Sequence, residues 1–165
     1  MHGNGKVVEL DLPDLIAFLG DWTQYVESLY KTYMREIVNG KITFSGLPIK
    51  TRYHPPSRGK GSGFWHVIQE GPSEDERIPD LRRCERISWI SWMIKNATKD
   101  DRISWWEDVR GSSRDALIWL EQEDYLVVLS KRKGYYLLKT VYIADKPHKR
   151  KELRKKRVKY CAQKN

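Results

Sequence analysis

Apolar positions along the chain change period several times, and each change marks an element. Trp22, Val26, Leu29, Tyr33 and Ile37 recur at spacings of four, three, four and four, which is one face of a helix. Residues 12–38 are therefore expected to be helical in two pieces broken near Gly20. Asp21 caps the second piece and Asn39-Gly40 closes it, with Gly40 in the left-handed conformation. "KITFSGLPIKTRY" has short alternating runs about a Gly/Pro turn, a hairpin pattern. "HPPSRGKGSG" is predicted to be a mobile basic loop, and "FWHVIQE" a strand emerging from it.

Further along, residues 72–79 are acidic and loop-like. A helix is predicted from Asp80 through Ala97, with Cys84, Ile87, Ile90, Ile94 and Ala97 on its apolar side. "ISWWEDV", "DALIWLEQ", "DYLVVLSKR" and "YYLLKTVYI" have strand composition. Between the last two, "KRKG" is a tight turn with Gly134 at the permissive position. This order predicts an α+β fold: N-terminal helices on one face of an antiparallel sheet of about four strands, then a basic C-terminal helix. At 165 residues the chain suits one domain, residues 1–145, with 146–165 as a tail of the same domain.

Charge sharpens this picture. Residues 146–165 hold ten Lys or Arg and one acid, Glu152, whereas the other 145 residues hold 21 basic and 21 acidic side chains. The overall charge of +9 thus sits in the tail, a block suited to a polyanion or to a solvated helix. No apolar run reaches membrane-spanning length, and the N-terminal "MHGNGKVVELDLPD" has no leader pattern. The expected setting is the cytoplasm, without membrane partners. Cys84 and Cys161 match no metal or redox spacing and are expected to be free thiols. His2, His54, His66 and His148 share no ligand spacing, so neither metal nor cofactor is expected.

Three groups of polar residues are candidates for chemistry. On a period of two, His66 and Glu70 share one strand face, an imidazole beside a carboxylate. Arg82, Arg83 and Arg86 converge on one helix, where guanidinium forks suit phosphate. Salt bridges to the dense neighbouring acids are the competing explanation. Thr140 and Tyr142 share a face with Tyr136 and Leu138, at the outgoing end of a strand, while Lys139 faces away. Most of the seven tryptophans are expected in the core.

The blocks "GFWHVIQEG", "RIPDLRRCERISW" and "GYYLLKTVYI" followed by "HKRKELRKK" resemble phage- and prophage-encoded small proteins. Those proteins belong to the barnase–EndoU–colicin–RelE nuclease superfold. The resemblance covers residues 64–89 and 134–155 and implies a metal-independent endoribonuclease acting on RNA, with tRNA among the candidates, in phage–host or toxin conflict. It places His66, Arg83, Arg86, Thr140 and Tyr142 in the site; with Glu70 added from the strand face, the expected catalytic set is His66, Glu70, Arg86, Thr140 and Tyr142. Arg52, Arg82, Arg83, Lys139, Lys149, Arg150 and Arg154 would hold the RNA backbone, and an antitoxin or immunity protein would be the inhibitor. The alternative is a phage protein that binds nucleic acid, or inhibits a partner, without catalysis.

Overall fold

Residues 12–164 are described by the computed structural model; the first eleven residues, His2 among them, lie outside them. Helix α1 (Trp22–Tyr33) starts where Asp21 accepts the Gln24 N–H at 3.0 Å. Its apolar face buries Tyr25, Val26, Leu29 and Tyr33. The preceding stretch is not the expected helical piece. Residues 12–20 are an irregular strap, held where the Ile16 N–H meets the Glu85 carbonyl (2.9 Å) and the Trp89 indole meets the Pro13 carbonyl (2.8 Å). The last turn of α1 widens, so that the Asn39 N–H reaches Met34 O at 2.8 Å. Gly40 is needed there for proximity: a Cβ would stand 2.0 Å from Glu36 O. The positive φ that the sequence assigned to Gly40 belongs to Lys41, at 52°.

Strands β1 (Thr43–Phe44) and β2 (Leu47–Lys50) form the expected hairpin. Helix α2 (Ser62–Ile68) follows, then the short strands β3 (Gln69–Glu70) and β4 (Ile78–Pro79). The helix predicted from Asp80 to Ala97 is two, α3 (Leu81–Glu85) and α4 (Ile87–Asn96), broken at Arg86 (φ −101°, ψ 16°). Its apolar side is as predicted, with Cys84, Ile87, Ile90, Ile94 and Ala97 all buried. The meander β5 (Ile103–Arg110), β6 (Ser113–Leu120), β7 (Tyr125–Arg132) and β8 (Tyr135–Ile143) is antiparallel throughout. Gly134, at φ +87°, makes the tight turn between β7 and β8.

The fold is α+β, but the sheet has six strands in the order β1-β2-β8-β7-β6-β5 and is mixed. The hairpin adds the two extra strands, because β2 joins β8 in parallel through Ile49↔Tyr136 and Lys50↔Leu137. That pairing involves two residues on each side, too few to leave an alternation signal. The sheet is also covered on both faces. Ala116, Ile118, Leu120, Tyr125, Val127 and Leu129 meet α1, α2 and α4 in the larger core. Trp106, Leu117, Trp119, Leu126 and Val128 form a smaller core with Ala144 and with Leu153 of helix α5 (Pro147–Lys164). Alternate residues of β6 and β7 thus bury on opposite sides, which is why those strands lack polar alternation. All seven tryptophans are buried or packed against a core, and Cys84 and Cys161 are free. No helix among the described residues is long and apolar enough to cross a membrane.

Candidate functional site

The stretch expected to be a strand, "FWHVIQE", is mostly helix α2. Phe64, Val67 and Ile68 are fully buried, an i, i+3, i+4 set that fits a helix better than alternation. Phe64 stands edge-on to Tyr30, Tyr33 and Trp65 at 5.1, 5.4 and 5.1 Å between ring centroids. The helix can lie this close because Gly63 has no side chain. A Cβ there would come within 3.0 Å of the Arg52 carbonyl, which accepts the Gly63 N–H at 2.8 Å. The basic loop before α2 is tied down as well. Trp65 donates its indole N–H to Ser57 O (2.9 Å), Arg58 lies over the Trp65 ring, and Lys60 pairs with Glu27.

The last carbonyls of a helix lack partners within it. Two arginines and a threonine supply them to α2. Arg83 donates to Gln69 O at 2.6 Å and to His66 O at 3.5 Å; Arg77 donates to the same oxygens at 2.8 and 3.3 Å. Thr140 donates its hydroxyl to His66 O at 3.3 Å. The β3–β4 ribbon, pairing Glu70 with Ile78, carries Arg77 to this point. Arg83 is only 5% exposed, and its other neighbours are Asp80 (3.4 Å), Glu70 (3.8 Å) and the Tyr142 ring (5.4 Å). Burial pulls its pKa below the ordinary arginine value, and the charges of Asp80 and Glu70 oppose the drop.

Strand β8 completes the site. Its register with β7 runs Val128↔Thr140 and then Leu129↔Leu138, so Lys139 is an extra, unpaired residue. Such a bulge re-aims the side chains around it. The larger core takes Tyr136 and Leu138 before the bulge and Val141 after it. The expected single face of Tyr136, Leu138, Thr140 and Tyr142 is therefore broken, and Lys139 does not point away from the site. Because β2 pairs with β8 only as far as Leu137, the bulged part has no strand beyond it on that side, and α2 packs there instead.

Between these parts lies a cleft of about 300 Å³ lined by Arg52, His66, Glu70, Gly71, Arg77, Arg83, Lys139, Thr140 and Tyr142. Four cations face one carboxylate. The Arg52 guanidinium and the Tyr142 hydroxyl make no hydrogen bond or ion pair among the described residues, whereas Lys139 reaches Asp115 at 3.3 Å. His66 is partly buried. An imidazole, a carboxylate and a phenol beside a positive lining can transfer protons next to a bound anion. Among the described residues no group of three or more His, Cys, Asp or Glu is placed to hold a metal ion.

Seven of the twelve expected site residues meet here: Arg52, His66, Glu70, Arg83, Lys139, Thr140 and Tyr142. The other five do not. Arg86 turns back to the Arg82 carbonyl (3.2 Å) and Glu85 (3.4 Å) and lies over Trp89. Arg82 pairs with Asp145 at 2.9 Å. Lys149 meets Glu152 at 3.7 Å, Arg154 meets Glu121 at 2.7 Å, and Arg150 grips Asp124 with two bonds of 2.8 Å. Arg77 stands where a second arginine was expected. It was hidden in the acidic "SEDERIPD" run, on a ribbon too short to show a period.

No family model, curated protein or solved structure matches this chain.

Proposed function

We propose that the cleft binds a phosphodiester of RNA and that the protein is a metal-independent endoribonuclease. One proton carrier takes the 2′-hydroxyl proton as the oxygen attacks phosphorus. A second protonates the departing 5′-oxygen as the P–O5′ bond breaks, leaving a 2′,3′-cyclic phosphate and a 5′-hydroxyl. His66 is one carrier, and Glu70 or Tyr142 is the other. Arg52 and Lys139 hold the phosphate. Arg77 and Arg83 are anchored to the end of α2, so they fix the site's shape and add positive potential. Thr140 positions α2 through its bond to His66 O. The observation that carries this reading is the convergence of His66, Glu70, Tyr142 and four cations from separate segments on one cleft. The donor set, one imidazole and one carboxylate among cations, suits an anion better than a metal ion. The resemblance to the nuclease superfold supports the same reading, with a role in phage–host or toxin conflict and an antitoxin or immunity protein as its inhibitor.

One observation favours a second reading, nucleic-acid binding or partner inhibition without catalysis. Arg77 and Arg83 already give hydrogen bonds to backbone carbonyls, which leaves fewer donors for a transition state. Incubation with total tRNA in the presence of EDTA separates the two. The nuclease reading expects fragments ending in 2′,3′-cyclic phosphate, made about 10²–10⁴-fold more slowly by His66→Ala. Cleavage at an unchanged rate in His66→Ala removes that residue from the chemistry. RNA binding with no cleavage over hours establishes the second reading.

A further inference from the structure

Helix α5 is the most basic part of the chain, and its cations divide cleanly by direction. Around Leu153, which is 1% exposed, the inner side is spent on the body of the protein. Arg150 pairs with Asp124, Arg154 and Arg157 with Glu121, and Lys156 with Asp108. The opposite side carries Lys151, Lys155 and Lys159, all exposed and without an ion pair among the described residues. Spacings of four residues place these three in one row along the helix, with a rise of about 6 Å from each to the next. The acid nearest in sequence, Glu152, is held by Lys149 and Lys156.

We propose that this row is a second RNA contact, outside the cleft, that holds the phosphate backbone without reading sequence. It rests on the reading of the cleft as an RNA site only for the identity of the polyanion. Charge complementarity selects the occupant: three exposed cations in line, none in an ion pair among the described residues although Lys159 shares a cleft with Glu107 and Asp108, suit a chain of regularly spaced phosphates. A membrane fits worse, because the apolar side of α5 is buried in the smaller core and Val158 is its one exposed large apolar residue. The expected phosphate-binding set of Lys149, Arg150 and Arg154 is thereby replaced, since those side chains are committed to Glu152, Asp124 and Glu121.

The test uses a 2′-O-methyl oligonucleotide, which cannot be cleaved by 2′-hydroxyl attack. Its binding is measured across a salt series for the wild type, for the triple variant Lys151→Gln/Lys155→Gln/Lys159→Gln, and for the cleft variant Arg52→Gln/Lys139→Gln. The triple variant is expected to keep its unfolding midpoint and to lower the slope of log K against log salt by about 2, from three lost single-strand contacts. An unchanged slope in the triple variant, with weakened binding in the cleft variant, overturns the row and leaves the cleft reading standing. A reduced slope together with no cleavage of ordinary RNA by the wild type leaves the row standing and sinks the nuclease reading. Absence of RNA binding in all three proteins overturns both. Binding to phosphatidylserine vesicles that depends on the three lysines, without RNA binding, overturns the proposed partner.

Discussion

The cleft beside β8 and the inner face of α5 are both built on cations, and they use them differently. In the cleft, Arg77 and Arg83 give hydrogen bonds to backbone carbonyls at the end of α2; Arg83 also meets Asp80 and Glu70, and Lys139 meets Asp115, so Arg52 and Arg77 are its two cations without a carboxylate partner among the described residues. A carbonyl can satisfy a guanidinium without cancelling its charge, so the charge of Arg77 survives. Against the sheet, Arg150, Arg154, Lys156 and Arg157 meet full carboxylates on Asp108, Glu121 and Asp124, and much of their charge is neutralised. The segment that looks most basic in composition is thus half spent on docking. The cleft, which lies in a region of balanced charge, keeps the charges of Arg52 and Arg77. Partner type, carbonyl or carboxylate, decides where an anion is attracted.

Removing the buried cation of the cleft gives the largest expected effect. Arg83→Ala leaves the Asp80 carboxylate without its ion pair and removes one donor each from the Gln69 and His66 carbonyls, which Arg77 still serves, at an expected cost of about 4 kcal/mol. Urea denaturation measures it, and Arg83→Lys should recover only part of the loss, because an ammonium cannot fork to both carbonyls and the carboxylates. A cost below about 1 kcal/mol would show that capping of α2 does not depend on this guanidinium. Leu153→Ala should come next, at about 3 kcal/mol, from the cavity left beside Trp119 and Leu126. Replacing the salt-bridged Asp124 by Asn should cost less than Leu153→Ala, since Arg150 is one-third exposed (32%) and solvent screens the pair. If Asp124→Asn proves the costlier change, α5 is docked by charge rather than by its apolar contact, and the contrast between the two regions narrows.

The sequence signals found α1, α4 and the four long strands, because each runs for eight or more residues. They failed where elements are short or the period is interrupted. Helix α2 is seven residues long, and its apolar set fits both templates until Phe64, Val67 and Ile68 are grouped. The bulge at Lys139 shifts the alternation of β8 by one residue, which no count along the strand can reveal. His66, Glu70, Thr140 and Tyr142 were still found, because polar residues inside apolar runs are conspicuous whichever element carries them. Arg77 lines the cleft unexpectedly, and Arg86 turns away from it to Arg82 O and Glu85, for one reason. Guanidinium placement depends on which carbonyl or carboxylate lies within reach, and that is a property of the tertiary fold.

The smallest expected effect is a pH dependence confined to the docked helix. Burial raises the pKa of Glu121, but hydrogen bonds from Arg154 and Arg157 outweigh it and hold the carboxyl below its usual value. A folded-state pKa below the unfolded one means that the stabilisation is complete above the unfolded value, about 4.3 for a glutamate. It is lost as pH falls through the folded value. The pair is partly exposed, so solvent screening keeps the loss to about 1 kcal/mol or less. Asp100, Asp145 and Glu152 are shifted in the same direction, so the wild-type profile alone cannot assign the loss to one group. The difference between wild type and Glu121→Gln can. Their unfolding midpoints should converge as pH falls from about 5 towards 3, and should separate again on return to neutrality. Parallel profiles over that range would mean that Glu121 does not help hold α5, and that Leu153 and its apolar neighbours keep the basic helix in place without it.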